Sequence, residues 1–481
     1  MTAAIGAVRD PQAYLSEKEQ DAYVPENHHV PDGTTPNLET YMYYAKIQRE
    51  YRAASGALRT ATWWEHILGP YSTPWAFQQP VSSSSGIMAA YGGCLLWWMF
   101  LKLDSERYPV KSFGDLGHRI YGRWFKYLCN ILQSLQLVFN VGIIILQNGQ
   151  GFSQITKFKL CFSVCNVVWT LAGMILGQIR TLQKFGNIAN LAIWLNIIIL
   201  IMTMAFVANS PPNYIASPSG TDTGPVITQA INLEPFQDQL NGIMQIVFSY
   251  GGAMIFIEFM AEMRRPMDFW KAMAYSQIFI FVVYMFFGLF VYTYQGQYVI
   301  NPAMQGISTY GLQTAANTLY LVSGLIAAAL YGNIGIKVIY NNVLVEMFGF
   351  PQLTVTWWYW SIAFVIGSAI PLFSDISSLI AAFTYTFPPF MILGYCMQVD
   401  ATKGDGEFDI NNPHAHRVDT WRDLSRWKRA RFFYAWNFLV SLACLSCAAL
   451  SAYSAINSIV SSFDTTHSVT SFSCKSPLDN S

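Results

Sequence analysis

The sequence predicts an all-α integral membrane protein of about eleven transmembrane helices, with the first and sixth interrupted. Three observations carry that prediction. The 481-residue chain is 53% hydrophobic and only 12% charged, whereas soluble domains run near a quarter charged. Its apolar residues fall in blocks of about 20, the length that crosses a bilayer core. Its Lys and Arg residues alternate between successive loops, as those of a spanning chain do.

The elements follow in order. Residues 1–58 are polar, hold Pro25, Pro31 and Pro36, and show no apolar period. They are expected to be a disordered cytosolic arm. Asp10, Glu17, Glu19 and Asp21 argue against a cleavable signal peptide. Residues 59–462 are the expected transmembrane domain, and 463–481 a short tail outside the cytosol. Within the domain, two weaker blocks at 61–79 and 86–103 make spans 1 and 2. Clear blocks at 125–149, 160–179, 188–208, 240–262, 270–294, 312–336, 357–373, 377–398 and 432–462 make spans 3 to 11. Residues 209–235, rich in Pro, Ser, Thr and Gly, make an irregular external loop.

The positive charges orient these spans. With the N-terminus inside, the cytosolic segments hold Arg9 through Arg59, Lys102 through Lys126, Arg180 and Lys184, Arg264 through Lys271, and Lys403 through Arg431. Lys337 lies near the inner end of span 8, and only Lys157, Lys159 and Lys475 fall outside. One span more or fewer would invert every later loop. The pattern therefore supports eleven spans, a cytosolic N-terminus and an external C-terminus.

Several classes are excluded. The formal net charge is zero, so no global field suits nucleic acid. No phosphate loop, catalytic triad or metal-ligand cluster is visible, so neither an enzyme nor a cofactor is expected. The eight cysteines suggest no disulfide framework: most lie in or beside apolar blocks, and Cys474 is alone in the tail. Cys444 and Cys447 have redox-like spacing, but inside an apolar helix that spacing is more often packing.

Two spans carry backbone irregularity. In span 6, Ser249-Tyr250-Gly251-Gly252 splits an otherwise apolar stretch. Two glycines weaken a helix by roughly 1 kcal/mol each relative to alanine. They serve either close helix packing or a loosened backbone lining a cavity. In span 1, Gly69, Pro70 and Pro74 interrupt a short apolar stretch that already contains Glu65 and His66. Interrupted helices at matching positions in two halves point to an inverted-repeat transporter. Span 3 carries Asn130 together with Gln133, Gln136, Asn140 and Gln147, the last four on one face. These amides either bond neighbouring helices or line a polar path, with Asn140 the candidate for a path. Span 8 carries Asn317, Ser323, Asn333 and Lys337. Glu258 lies seven residues beyond Gly251, roughly 10 Å further along a helix. An acid at that depth is costly and marks a functional site, unless it simply pairs with Arg264, Arg265 or a backbone group.

Ser249-Tyr250-Gly251-Gly252, followed by Phe256, Glu258, Met260, Glu262, Met263, Pro266 and Phe269, resembles the sixth-helix signature of the amino acid/auxin permease (amino acid transporter transmembrane) family. The fungal neutral amino acid permeases are the nearest branch. The resemblance covers roughly residues 60–462 and departs from the pattern in span 1, whose apolar lead-in is short. It implies a five-plus-five inverted repeat and ion-coupled amino acid uptake across the lipid bilayer, usually with protons. The substrate is then expected at Gly69, Pro70, Tyr71, Ser72, Thr73, Asn140, Ser249, Tyr250, Gly251 and Gly252, with Glu258 coupling or gating. The alternative is an amino acid sensor, or a paralogue that binds without translocation. The plasma or vacuolar membrane would house either.

Overall fold

A computed structural model describes residues 41, 45, 82–105, 108–177, 182–214, 224–228, 236–249, 255–263, 266–300, 302–340, 352–369, 377, 381, 390–392, 394, 431–465 and 471–478. Their regular structure is helical, apart from one isolated bridge between Pro212 and Ile307. The helices are α1 (Ser82–Leu103), α2 (Phe113–Tyr121), α3 (Arg123–Ile155), α4 (Phe162–Leu176), α5 (Leu182–Asn209) and α6 (Phe236–Ser249). They continue with α7 (Phe256–Glu262), α8 (Phe269–Gln295), α9 (Tyr310–Ile339), α10 (Gln352–Ala369) and α11 (Arg431–Thr465).

Among the described residues, five stretches are long and apolar enough to cross a membrane: Arg123–Ile155, Leu191–Asn209, Pro266–Tyr298, Tyr310–Ile339 and Ala435–Val460. Met88–Leu103 and Phe162–Leu176 are shorter apolar helices. Span 1 and most of span 10 lie outside the described residues.

The helices pack in two groups. In the first, α9 runs along α3, and α4 and α10 pack on α3 and on each other. In the second, α1 touches α6, α7 and α8. Helix α5 joins the groups through α9 and α8, while α11 leans on α6. The tightest crossing is between α3 and α10. A Cβ on Gly367 would lie 2.5 Å from the Gly142 carbonyl oxygen, and one on Gly142 2.9 Å from that of Ala363. Only glycine lets these backbones approach so closely. The apolar faces turned outward, such as Ile131 and Leu135 on α3 or Leu439, Leu442 and Leu445 on α11, are exposed. Lipid suits them.

Helix α2 is a capped amphipathic piece within the segment that sequence reading treats only as a basic loop. Ser112 Oγ accepts from the Asp115 N–H at 3.2 Å, and Asp115 Oδ2 accepts from the Ser112 N–H at 3.1 Å. This reciprocal pair fixes the helix start. Phe113, Leu116 and Ile120 face the core. Gly122 at φ 88° ends the helix and turns the chain straight into α3. Within the N-terminal arm, Tyr41 and Ala45 are helical and buried.

The cysteine reading is corrected. Cys161 and Cys474, 313 residues apart, form a disulfide. A bond across that separation depends on which loops the fold brings together, and spacing along the chain carries no sign of it.

Candidate functional site

Two described helices flank the glycine pair of span 6. Helix α6 ends at Ser249 and α7 begins after Ile255; residues 250–254 lie outside the described part. Both flanks rest on α3. Phe248 packs against the cluster of Ile143, Leu146 and Phe162, and Ile255 shares a cluster with Leu137. The α3 residues of these two clusters, Leu137 and Ile143, are six positions apart, about 9 Å of helix. Asn140 sits in the middle of that segment. It is half-buried, and its Oδ1 has no hydrogen-bond partner among the described residues.

Below this level stands Glu258, in the first turn of α7. Gln133 Nε2 on α3 donates to Glu258 Oε1 at 2.7 Å. The backbone N–H of Phe113, the first residue of α2, donates to the same oxygen at 3.4 Å. Oε2 has no partner among the described residues. One carboxylate thus ties three helices: α7, the central α3 and the short α2. Arg264 and Arg265, the sequence-level candidates to neutralise it, lie outside the described residues.

A second charged joint stands on the other side of α2. Arg119 is buried and donates to the carbonyls of Leu103 and Tyr108. Its guanidinium lies 4.6 Å from the Tyr41 ring centroid, a cation–π arrangement. Burial pulls the Arg119 guanidinium below its usual pKa, against the pull of Tyr41 and Asp104. It pushes the Tyr41 phenol above its usual pKa, against the pull of Arg119. Lys126 on α3 completes this end with a 3.6 Å ion pair to Asp115.

The amides of α3 divide between the two uses that the sequence left open. Gln133 binds Glu258, and Gln147 accepts from the Tyr320 hydroxyl on α9. Gln154, about two turns beyond the predicted face, accepts from Asn317 Nδ2 at 2.8 Å. On α9, Ser323 donates to Asn196 of α5 at 2.6 Å. These are links between helices. Asn140 alone of the four predicted amides is both near the interruption and open at Oδ1.

Of the residues expected to hold substrate, Gly69, Pro70, Tyr71, Ser72, Thr73, Tyr250, Gly251 and Gly252 lie outside the described residues. Ser249 is the last described residue of α6, and Asn140 lies on α3 between Leu137 and Ile143. Sequence reasoning missed the Gln133–Glu258 bond, the Arg119 joint and the disulfide. Ser112-x-x-Asp115, a helix-start pattern, was the visible sign of α2.

The family described as transmembrane amino acid transporter protein matches residues 74–404. The chain belongs to that family. The match includes Asn140, Ser249 through Gly252 and Glu258, and begins just after Thr73. An N amino acid transport system protein of Neurospora crassa is 23% identical over 351 residues, which cover 67% of this chain and 72% of that one. A transmembrane transporter of Fusarium pseudograminearum is 22% identical over 344 residues, covering 64% and 69%. A solved structure of a mutant manganese transporter from Eremococcus coleocola covers 94% of this chain and 92% of its own. It is 13% identical with a TM-score of 0.49, too loose a likeness to carry an argument. This member of the amino acid transporter family is thus a multi-pass membrane transport protein.

Proposed function

We propose that the protein is a proton-coupled amino acid symporter of eleven spans and two inverted five-helix repeats, with its N-terminus in the cytosol. The amino acid sits where spans 1 and 6 are interrupted. Its carboxylate meets free backbone N–H groups of Gly251 and Gly252 and of Gly69 through Thr73. Its ammonium group meets freed carbonyls, the Tyr250 side chain and the open Oδ1 of Asn140. The relative from Neurospora crassa, named as an amino acid transport system protein, supports the substrate class. The disulfide supports the orientation. Cys161 follows the loop holding Lys157 and Lys159, and Cys474 lies in the tail; both belong outside under the charge pattern. Disulfides persist in compartments other than the cytosol.

The observation that carries the coupling is the Glu258 joint. A carboxylate at this depth held by one short and one long hydrogen bond is poorly compensated. Protonation removes the charge and turns one oxygen into a donor. That changes the link among α7, α3 and α2 without moving any other group. A proton bound at Glu258 can thereby favour one arrangement of the span 6 half-helix over another.

Glu258→Gln keeps size and removes the titration. Uptake of radiolabelled amino acids into vesicles, measured across external pH and with the gradient collapsed, tests it. The variant is expected to bind amino acids while its uptake no longer depends on pH. Unchanged uptake with an unchanged pH profile would leave Glu258 a structural residue. Binding without uptake in the unsubstituted protein would instead favour a sensor.

A further inference from the structure

Residues 471–478 cross the outer ends of three helices. The Phe472 N–H donates to the Ser368 carbonyl at 3.0 Å, and Ser471 Oγ to the Ala369 carbonyl at 2.7 Å, both at the end of α10. The Phe162 N–H donates to the Cys474 carbonyl at 3.0 Å, and Ser163 Oγ to the Ser473 carbonyl at 3.0 Å, both at the start of α4. Ser153 Oγ near the end of α3 donates to Ser476 Oγ at 3.2 Å. The disulfide from Cys474 to Cys161 closes the structure. Phe472 also stacks near Phe364 of α10, with ring centroids 6.2 Å apart.

All of these anchors lie on α3, α4 and α10, one packing group of the fold. The other packing group holds α1, α6, α7 and α8. We propose that residues 471–478 are a redox-sensitive strap that locks the α3–α4–α10 group from outside. The hydrogen bonds alone are single contacts: two to helix-end carbonyls, two to carbonyls of the strap and one between hydroxyls. These are weak where water competes. The disulfide makes them effectively intramolecular, so the strap stays seated.

The lock can be opened chemically. Cys474 is exposed and Cys161 half-exposed. The thiolate of an external dithiol attacks Cys474 Sγ, and the bond to Cys161 breaks to release the Cys161 thiolate. The second thiol of the reagent then displaces Cys474, closing the reagent to a cyclic disulfide. Two electrons and two protons pass to the cysteine pair, and the reagent is oxidised by the same amount.

The test uses the full chain in intact cells. A membrane-impermeant maleimide should label neither Cys161 nor Cys474 until dithiothreitol is added outside, and should then label both. In membranes, the same reduction should lower the midpoint of thermal aggregation by several degrees. Uptake of a mixture of radiolabelled amino acids should fall about twofold or more as the helix group loosens. Reoxidation should restore both. Cys161→Ser, Cys474→Ser and the double variant should match one another and the reduced protein, because each lacks the same bond. If single variants fail to reach the surface, reduction of the unsubstituted protein still decides the matter. Labelling of Cys474 without reductant would overturn the strap. So would complete reduction that leaves thermal midpoint and uptake unchanged. Thiol labelling and thermal stability do not depend on proton coupling, so this proposal and that of Glu258 fail separately.

Discussion

The two ends of the helix bundle, outer and inner under the proposed orientation, are built from different chemistry. The outer end is joined by neutral groups and one covalent bond: Gln154 with Asn317, Gln147 with Tyr320, Gln313 with the Gln305 carbonyl, and Cys161 with Cys474. The inner end is joined by charges: Glu258 with Gln133 and Phe113, Arg119 with two carbonyls and Tyr41, Asp115 with Lys126. A neutral amide bond does not respond to pH between 5 and 8, whereas a charged joint can gain or lose its charge. A disulfide responds to reductant and to little else. The difference teaches that, on the two proposals above, the ends are addressed independently, the outer by redox agents and the inner by protons. Transport needs such an asymmetry if a proton taken from one side is to be felt at the other.

The largest expected effects separate packing from binding. Gly142→Leu places a side chain where the α3 and α10 backbones touch, 2.9 Å from the Ala363 oxygen. Loss of the protein from the membrane fraction is expected, since neither backbone can retreat. Gly251→Leu should do something else. If Gly251 lies in a substrate cavity, the variant inserts normally and binds no amino acid. Immunoblotting of membranes beside a binding assay distinguishes the two. A Gly251→Leu protein that is inserted and binds normally removes the proposed site, while one that disappears supports close packing there.

An intermediate effect belongs to the inner end. Arg119→Met keeps the stem of the side chain and removes the donors, leaving the Leu103 and Tyr108 carbonyls without them. The buried Leu103 carbonyl then loses a partner, at a cost of about 1–3 kcal/mol, while the Tyr108 carbonyl keeps the Ser105 N–H at 3.3 Å. The variant should lose several degrees of thermal stability, and Tyr41 should become accessible to proteases cutting the N-terminal arm. If the arm stays protected, Tyr41 is held by something other than the guanidinium.

How much of this was legible in the sequence differs between the same two regions. The apolar blocks announced the spans because bilayer thickness is written directly into segment length. Glu258 stood out because an acid among Phe256, Ile257, Phe259 and Met260 is chemically conspicuous. Its partner did not, since Gln133 is 125 residues away and one of several amides on its face. At the outer end almost nothing was visible. Cys161 and Cys474 each look ordinary in their own neighbourhood, and only the charge pattern set both on one face. Asn140 was singled out by depth alone, and it lies on α3 between Leu137 and Ile143, which share clusters with Ile255 and Phe248 on either side of the glycine pair.

The smallest expected effect is at the outer end and tests whether its amide links hold helices or hold substrate. Tyr320 is buried on α9 and donates its hydroxyl to Gln147 Oε1 on α3. Tyr320→Phe removes only that donor and leaves the ring in place. A hydrogen bond between helices in a membrane averages about 0.6 kcal/mol, because alternative partners are found. Thermal stability should therefore drop by a degree or two at most, with amino acid affinity and the pH profile of uptake unchanged. A marked loss of affinity would place Gln147 and Tyr320 on the substrate path, extending the site a full helix turn or more above Asn140. The outer end would then be a lined entrance rather than a fixed joint, and the contrast between the two ends would have to be redrawn around it.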